Sequence, residues 1–238
     1  MTRLRREQHL CINSGPGVWK IYQAMGIIDE KKTFIDREHA GRELGKLLVE
    51  KYRNKNALVL GIPRGGVIIA CEVAGMLNAE VSVIITKKLP HPAQHELAIG
   101  AVAEDGSVFL TSAAREFGQE TIRQIHMEQT VEIRSRIERF RNGRPLPAMQ
   151  GRIVIIADDG IATGSTIVPA IKLCKSRKAA KVVVAAPVAG RNYLDDINIL
   201  SDEVVIVEQP EAFYSVGQVY EDFKNLSDAE VLSALGEI

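Results

Sequence analysis

Six short apolar runs constrain what this chain can fold into more than any other feature: ALVLGI (57–62), VSVIIT (81–86), LAIGAVA (97–103), RIVIIA (152–157), KVVVAAPV (181–188) and EVVIV (203–207). Several are nearly continuous in Val, Ile and Ala instead of alternating apolar with polar, the pattern of parallel strands covered on both faces. Between them lie helix-length amphipathic segments near Arg37 to Tyr52, Gly66 to Leu77 and Thr166 to Ser176. That alternation specifies an α/β domain built on a parallel sheet.

Two segments depart from the pattern. Residues 113–141 read as one long charged helix with Ile122, Ile125, Val131, Ile133 and Ile137 as its apolar positions. It is stopped by Asn142-Gly143 and then by Pro145 and Pro147, and its plainest reading is a solvated helix that packs on a partner subunit. Residues 1–33, interrupted by Ser14-Gly15-Pro16-Gly17, read as an appendage to a domain of residues 34–238.

Composition narrows the function classes. With 46% hydrophobic and 25% charged residues, a chain of 238 residues has enough apolar mass for a substantial core. Thirty basic residues balance thirty acidic ones, which argues against a nucleic-acid binder. Cys11, Cys71 and Cys174 are odd in number and widely spaced, so they suit neither a disulfide framework nor a zinc site and read as reduced thiols. The first residues lack the apolar stretch of a signal peptide, and no window approaches the ~20 apolar residues that span a bilayer. The expectation is a soluble, cytoplasmic protein.

The chemistry is concentrated in Val154 to Thr166, VIIADDGIATGST: an apolar strand, two acids, a loop of small residues and a helix start. Successive strand side chains point to opposite faces, so acids at Asp158 and Asp159 inside a covered sheet would each be buried unpaired, at several kcal/mol. They therefore mark the carboxyl end of the strand, where ligands bind in open parallel sheets. The loop after them leads into a helix N-terminus, where free N–H groups and the helix dipole favour a phosphate. Thr163, Ser165 and Thr166 can add hydroxyl donors. No lysine follows the last glycine, so this is not a Walker-type triphosphate cradle, and no GxGxxG occurs. One phosphate beside two carboxylates suits a ribose 5-phosphate; the bland alternative is a strand ending in an Asp-Gly turn and a capped helix.

VIIADDGIATGST resembles the signature of type I phosphoribosyltransferases, which bind phosphoribosyl pyrophosphate (PRPP). The resemblance implies a Rossmann-like parallel sheet flanked by helices, with a long inserted helix and a small hood or tail. It implies that Asp158 and Asp159 bind the ribose hydroxyls and that Gly160, Ile161, Ala162, Thr163, Gly164, Ser165 and Thr166 hold the 5′-phosphate. Gly61 to Val67, GIPRGGV, matches the family's pyrophosphate loop, so Arg64, Gly65 and Gly66 are carried over as pyrophosphate contacts. Thr86 to Glu96 matches its flexible closing loop, read as a basic mobile segment, and gives Lys87 and Lys88 the same role, with His91, His95 and Glu96 as weaker candidates. Arg64, Lys87 and Lys88 would act catalytically, by stabilising charge on the leaving pyrophosphate. Mg²⁺ is the implied cofactor; no direct protein ligand is assigned, and Asp158 and Asp159 would reach it through ribose or water.

The runs DREHAGREL (36–44), KKLPHPAQHELAIGAVAEDG (87–106) and FYSVGQVYEDF (213–223) further resemble one subgroup of uncharacterised, sequence-predicted phosphoribosyltransferases. The acceptor is not identified. Members that use 6-oxopurines carry a lysine just after the strand that follows the PRPP loop, whereas here that strand ends Ala185-Ala186-Pro187-Val188-Ala189-Gly190. Phe213 and Tyr214 are aromatics available to stack on a base, although Phe213 also suits the core. The alternative function is a PRPP-sensing regulator without turnover. A receiver-type phosphoacceptor domain would need a further Asp and Lys on later strands, and neither is found. The long helix and apolar tail suit a homodimer.

Overall fold

The computed structural model of the chain describes residues 32–193 and 195–236, apart from the side chains of His95 and Glu96, so the expected appendage and Cys11 lie outside the described residues save for Lys32 and Thr33. In chain order the elements are α1 (Arg37–Tyr52), β1 (Leu58–Gly61), α2 (Gly65–Leu77), β2 (Glu80–Val83), β3 (Thr86–His91), β4 (Gln94–Ala103), β5 (Val108–Leu110), α3 (Gln119–Arg141), β6 (Ile153–Ala157), α4 (Ile167–Ser176), β7 (Lys181–Val188), α5 (Asp195–Leu200), β8 (Glu203–Glu208) and α6 (Asp228–Gly236). Five strands make a parallel sheet in the order β2-β1-β6-β7-β8.

Period-two alternation divides this sheet between two cores. Leu58, Leu60, Val154, Ile156, Val182 and Val184 face α4, while Val59, Ile155, Val183 and Ala185 join the apolar faces of α1 and α2. The near-continuous Val and Ile runs are thereby explained, since both faces are covered. Helix α1 starts at the N-cap Asp36, whose carboxylate accepts the N–H of His39, and buries Ala40, Leu44, Leu48 and Tyr52 four residues apart. Gly41 and Gly45 let it approach α2 closely: a Cβ at Gly41 would lie 2.7 Å from Cβ of Glu72, and one at Gly45 would lie 2.4 Å from Sδ of Met76.

The basic segment expected to be a mobile loop is instead ordered. Thr86–His91 is strand β3, paired antiparallel with β4, and β5 completes a separate three-stranded sheet. The run 97–103 accordingly belongs to this sheet and not to the parallel one. Two observations account for the difference. Pro90 falls where the register shifts and so does not interrupt the regular ladder, and Nδ1 of His91 accepts the N–H groups of Ala93 and Gln94, closing the turn. Leu89, Ile99 and Val102 then pack with Ile125, Ile133 and Phe140 of α3. The expected long helix is divided, with a 3₁₀ turn at Ser112–Glu116 before α3, and it stops as the sequence indicates, on a left-handed Asn142 (φ 50°) and Gly143 (φ 69°).

The chain from Ala212 to Lys224 runs back as a strap across the start of α1. Thr33 and Phe34 donate their N–H groups to the carbonyl of Val219, and Glu221 and Asp222 donate to Phe34 and Ile35. Phe34 and Tyr220 are both buried, with ring centroids 5.4 Å apart.

Candidate active site

Connections leave the sheet in opposite directions between β1 and β6. From β1 the chain passes through α2 to β2 on one side; from β6 it passes through α4 to β7 on the other. Such a switch point leaves a crevice at the carboxyl ends of the two strands. The Ile62-Pro63-Arg64-Gly65-Gly66 turn and the Asp158-Asp159 pair meet there. A Cβ at Gly65 would lie 1.8 Å from Oδ2 of Asp159, and one at Gly66 would lie 2.6 Å from the carbonyl of Ala157 and 2.8 Å from Cα of Asp158. Glycine is required at both positions because the turn is pressed against the acids.

The two acids are held differently. The Asp158 carboxylate accepts the N–H of Asp159 at 2.9 Å, and the Asp158 N–H donates to the carbonyl of Ala185 at 3.3 Å. Withdrawal from water pushes its carboxyl well above the usual range, and the neighbouring Asp159 pushes it further. Burial also raises Asp159, against the opposing pull of Arg37, whose Nε donates to Oδ2 of Asp159 at 2.7 Å. Tyr220 donates its hydroxyl to the Asp159 carbonyl at 2.7 Å. The motifs do not single out Arg37 or Tyr220; the available signal was their place in the runs DREHAGREL and FYSVGQVYEDF.

Two loops offer backbone donors. Among the described residues, the N–H groups of Ala162, Thr163, Gly164 and Thr166 have no hydrogen-bond partner, and neither do those of Arg64, Gly65 and Gly66. The first group precedes α4 and the second opens α2, so each adds a positive helix end. Gly164 has φ +78°, and a Cβ there would meet Cδ1 of Ile197 at 2.3 Å. Ile161 is buried and tied to β7, its N–H donating to Val188 at 2.8 Å and its carbonyl accepting from Gly190 at 2.9 Å. A Cβ at Gly160 would lie 2.3 Å from Cγ1 of Val216, so the strap rests on the first residue of the loop.

The basic residues lie farther apart. Arg64 is the N-cap residue of α2, and its Nη1 is 3.9 Å from Oδ1 of Asp228, which also pairs with Arg139. Lys87 is half-buried on β3, with desolvation, then nearby Arg136, lowering its pKa; Lys88 is exposed. Among the described residues neither lysine is hydrogen-bonded or ion-paired to Asp158, Asp159 or the Arg64 turn. His91 closes the hairpin turn against the ring of Phe117, 4.9 Å away, and the His95 and Glu96 side chains lie outside the described residues. Phe213 packs against Gly190, where a Cβ would lie 2.8 Å from Cδ1 of the ring, while Tyr214 is exposed.

Residues 34–224 match the family described as the phosphoribosyl transferase domain. The chain belongs to that family. It is 37% identical to the protein TT1426 from Thermus thermophilus, whose crystal structure superimposes with a TM-score of 0.74 over 86% of this chain and 98% of that one. It is also 39% identical over 214 residues to two Mycobacterium tuberculosis proteins provisionally named phosphoribosyl transferases, Rv0571c of strain H37Rv and MT0597 of strain CDC 1551. Those matches take in 86% of this chain but 46% of each relative, so the chain spans about half the length of the curated relatives it matches.

Proposed function

We propose that this phosphoribosyltransferase-family chain transfers the 5-phosphoribosyl group of PRPP to an acceptor of the nucleobase or related nitrogen class, releasing pyrophosphate with Mg²⁺ as cofactor. The observation that carries this reading is the crevice between β1 and β6, where two carboxyls lie beside two loops of N–H groups that have no partner among the described residues. The 162–166 loop suits a 5′-phosphate, the Arg64-Gly65-Gly66 turn suits a pyrophosphate, and Asp158 and Asp159 suit the vicinal ribose hydroxyls between them. Bond breaking at C1 develops positive charge on the sugar and negative charge on the leaving group. The acids favour the former; Arg64, Lys87 and Lys88 favour the latter.

Among the described residues no group of three or more His, Cys, Asp or Glu side chains is gathered as a metal cage. Mg²⁺ keeps most of its ligands as water and substrate oxygens, so in this reading it is carried mainly on PRPP, with Asp158 and Asp159 at hand through ribose or water. Bound in that way it would neutralise charge on the leaving pyrophosphate. No helix among the described residues is long and apolar enough to cross a membrane. We place the reaction in the cytoplasm without a nucleic-acid partner, and a homodimer through α3, where Met127 is 60% and Val131 65% exposed, belongs to the same reading.

Calorimetric titration with PRPP, with and without Mg²⁺, tests the site without knowledge of the acceptor. Saturable, Mg²⁺-linked binding that is abolished in the folded Asp158→Asn/Asp159→Asn double variant is the expected result. Unchanged affinity in that variant would remove the assignment. Binding without pyrophosphate release on any base tried would leave the PRPP-sensing alternative.

A further inference from the structure

Arg37, the first residue of α1, makes three contacts with two segments distant in sequence, the acid pair and the strap. Its Nε donates to Oδ2 of Asp159 at 2.7 Å, its Nη1 donates to the carbonyl of Lys224 at 3.0 Å, and its guanidinium lies 4.0 Å from the ring centroid of Phe223. The Arg37 side chain is 10% exposed and that of Asp159 is 17% exposed, so the ion pair is largely shielded from water. The pair also fills the space that a side chain on Gly65 would take: a Cβ there would lie 1.8 Å from Oδ2 of Asp159 and 2.7 Å from Nε of Arg37. Three surfaces therefore converge on one guanidinium, namely the acid pair, the glycine turn and the strap.

Such a contact is rigid for a physical reason. A guanidinium is planar with donors in a fixed fork, so satisfying a carboxylate and a carbonyl while stacked on an aromatic ring leaves it one orientation. Asp159 is fixed from the other side as well, through the Tyr220 hydroxyl on its carbonyl. The backbone of Asp158 is tied to the carbonyl of Ala185, but its carboxylate accepts only the N–H of its neighbour among the described residues.

We infer that Arg37 is a positioning residue for the sugar: it fixes the Asp159 carboxylate against the glycine turn, so that Oδ1 of Asp159 and the less restrained Asp158 are presented together to the ribose hydroxyls. This rests on the PRPP reading above and adds to it the element that sets the geometry of the acids. Arg37 acts through Asp159 and makes no contact of its own with the pyrophosphate. Removing it therefore weakens every ligand that carries the ribose 5-phosphate unit, whether or not pyrophosphate is attached.

The test compares PRPP with ribose 5-phosphate as calorimetric ligands for the full chain and for Arg37→Met and Arg37→Lys. Circular dichroism melts of all three would be recorded to check folding. Arg37→Met is expected to weaken both ligands by the same factor, about tenfold or more, since a charge-assisted hydrogen bond to the sugar-binding acid is lost. Arg37→Lys, which keeps a cation beside Asp159, is expected to recover part of that loss at a melting temperature no higher than that of Arg37→Met. A loss confined to PRPP would overturn the inference, because Arg37 would then contact pyrophosphate directly. Unchanged affinity in Arg37→Met would overturn it too. So would equal losses in Met and Lys variants that track their melting temperatures, which is the result for a residue that only packs. Absence of binding of either ligand by the unmodified chain is a different failure: it removes the PRPP reading and this inference with it. If Arg37→Met does not fold, Phe223→Leu, which loosens the stack but leaves Arg37 and Asp159 in place, should weaken both ligands equally and less severely; a Phe223→Leu chain with unchanged affinities would overturn the inference.

Discussion

At Asp158 and Asp159, identical side chains in adjacent positions share burial but differ in partner. Asp159 has Arg37 at 2.7 Å, whereas Asp158 has a single backbone N–H and a carboxyl raised well above the usual range, chiefly by burial. A carboxyl whose folded pKa is raised binds more protons folded than unfolded. Its presence thus lowers stability progressively as pH rises from its unfolded value through its folded one. Asp158→Asn, which removes that ionisation, is expected to raise the melting temperature at pH 7, with the gain shrinking as pH falls toward about 4. Asp159→Asn is expected to lower it although burial raises that carboxyl as well, because leaving Arg37 with a shielded, unpaired charge costs more than the lost ionisation returns. Melts of the two single variants across pH decide this, and equal signs at pH 7 would contradict the asymmetry. The sequence shows that two acids end the strand; it does not show which one is paired, because the partner lies 122 residues away.

Among the elements, the β3–β4 hairpin is held at its base by a buried pair. Glu104 follows β4, accepts the N–H of Ile85 at 3.0 Å and pairs with Arg141 at the end of α3. Both side chains are less than a tenth exposed, and burial raises the Glu104 carboxyl despite Arg141. Nε and Nη1 of Arg141 have no hydrogen-bond partner among the described residues. A pair of this kind contributes little net stability but is costly to break on one side. Arg141→Ala is expected to destabilise the fold by about 3–5 kcal/mol in urea denaturation, and an apolar pair such as Glu104→Leu with Arg141→Met to recover most of it. A loss under about 1 kcal/mol for Arg141→Ala would mean that water reaches the pair. Here local composition points away from the structure. Two lysines, two histidines and two prolines in eleven residues look like a loop, yet Leu89 is fully buried against α3 and the register shift absorbs Pro90. The covering helix lies some thirty residues farther along, so local composition could not reveal it.

For the whole molecule, the strap and the start of α1 close the domain on itself. Phe34, Val219 and Tyr220 share one core with Leu44, Leu48 and Val183, and Lys32 and Thr33 already donate hydrogen bonds to the strap. We propose that residues 34–238 form the phosphoribosyltransferase domain and that 1–33 are an appendage. A chain beginning at Lys32 is then expected to unfold in one cooperative transition and to bind PRPP as the full chain does, by calorimetry. Loss of cooperative unfolding in that chain would mean that the first residues belong to the core.

The sequence alone determined the α/β class, the parallel central strands, the helices α1, α2 and α4, and the Asp158-Asp159 position at a strand end, because hydrophobic period and the cost of burying charge act locally. Tertiary structure alone decided three things: the meeting of the Gly65-Gly66 turn with those acids, the pairing of Arg37 with Asp159, and the ordering of Thr86–His91 as a strand. Each depends on contacts between segments far apart in the chain, and strand order, not residue type, determines which loops face each other across a crevice.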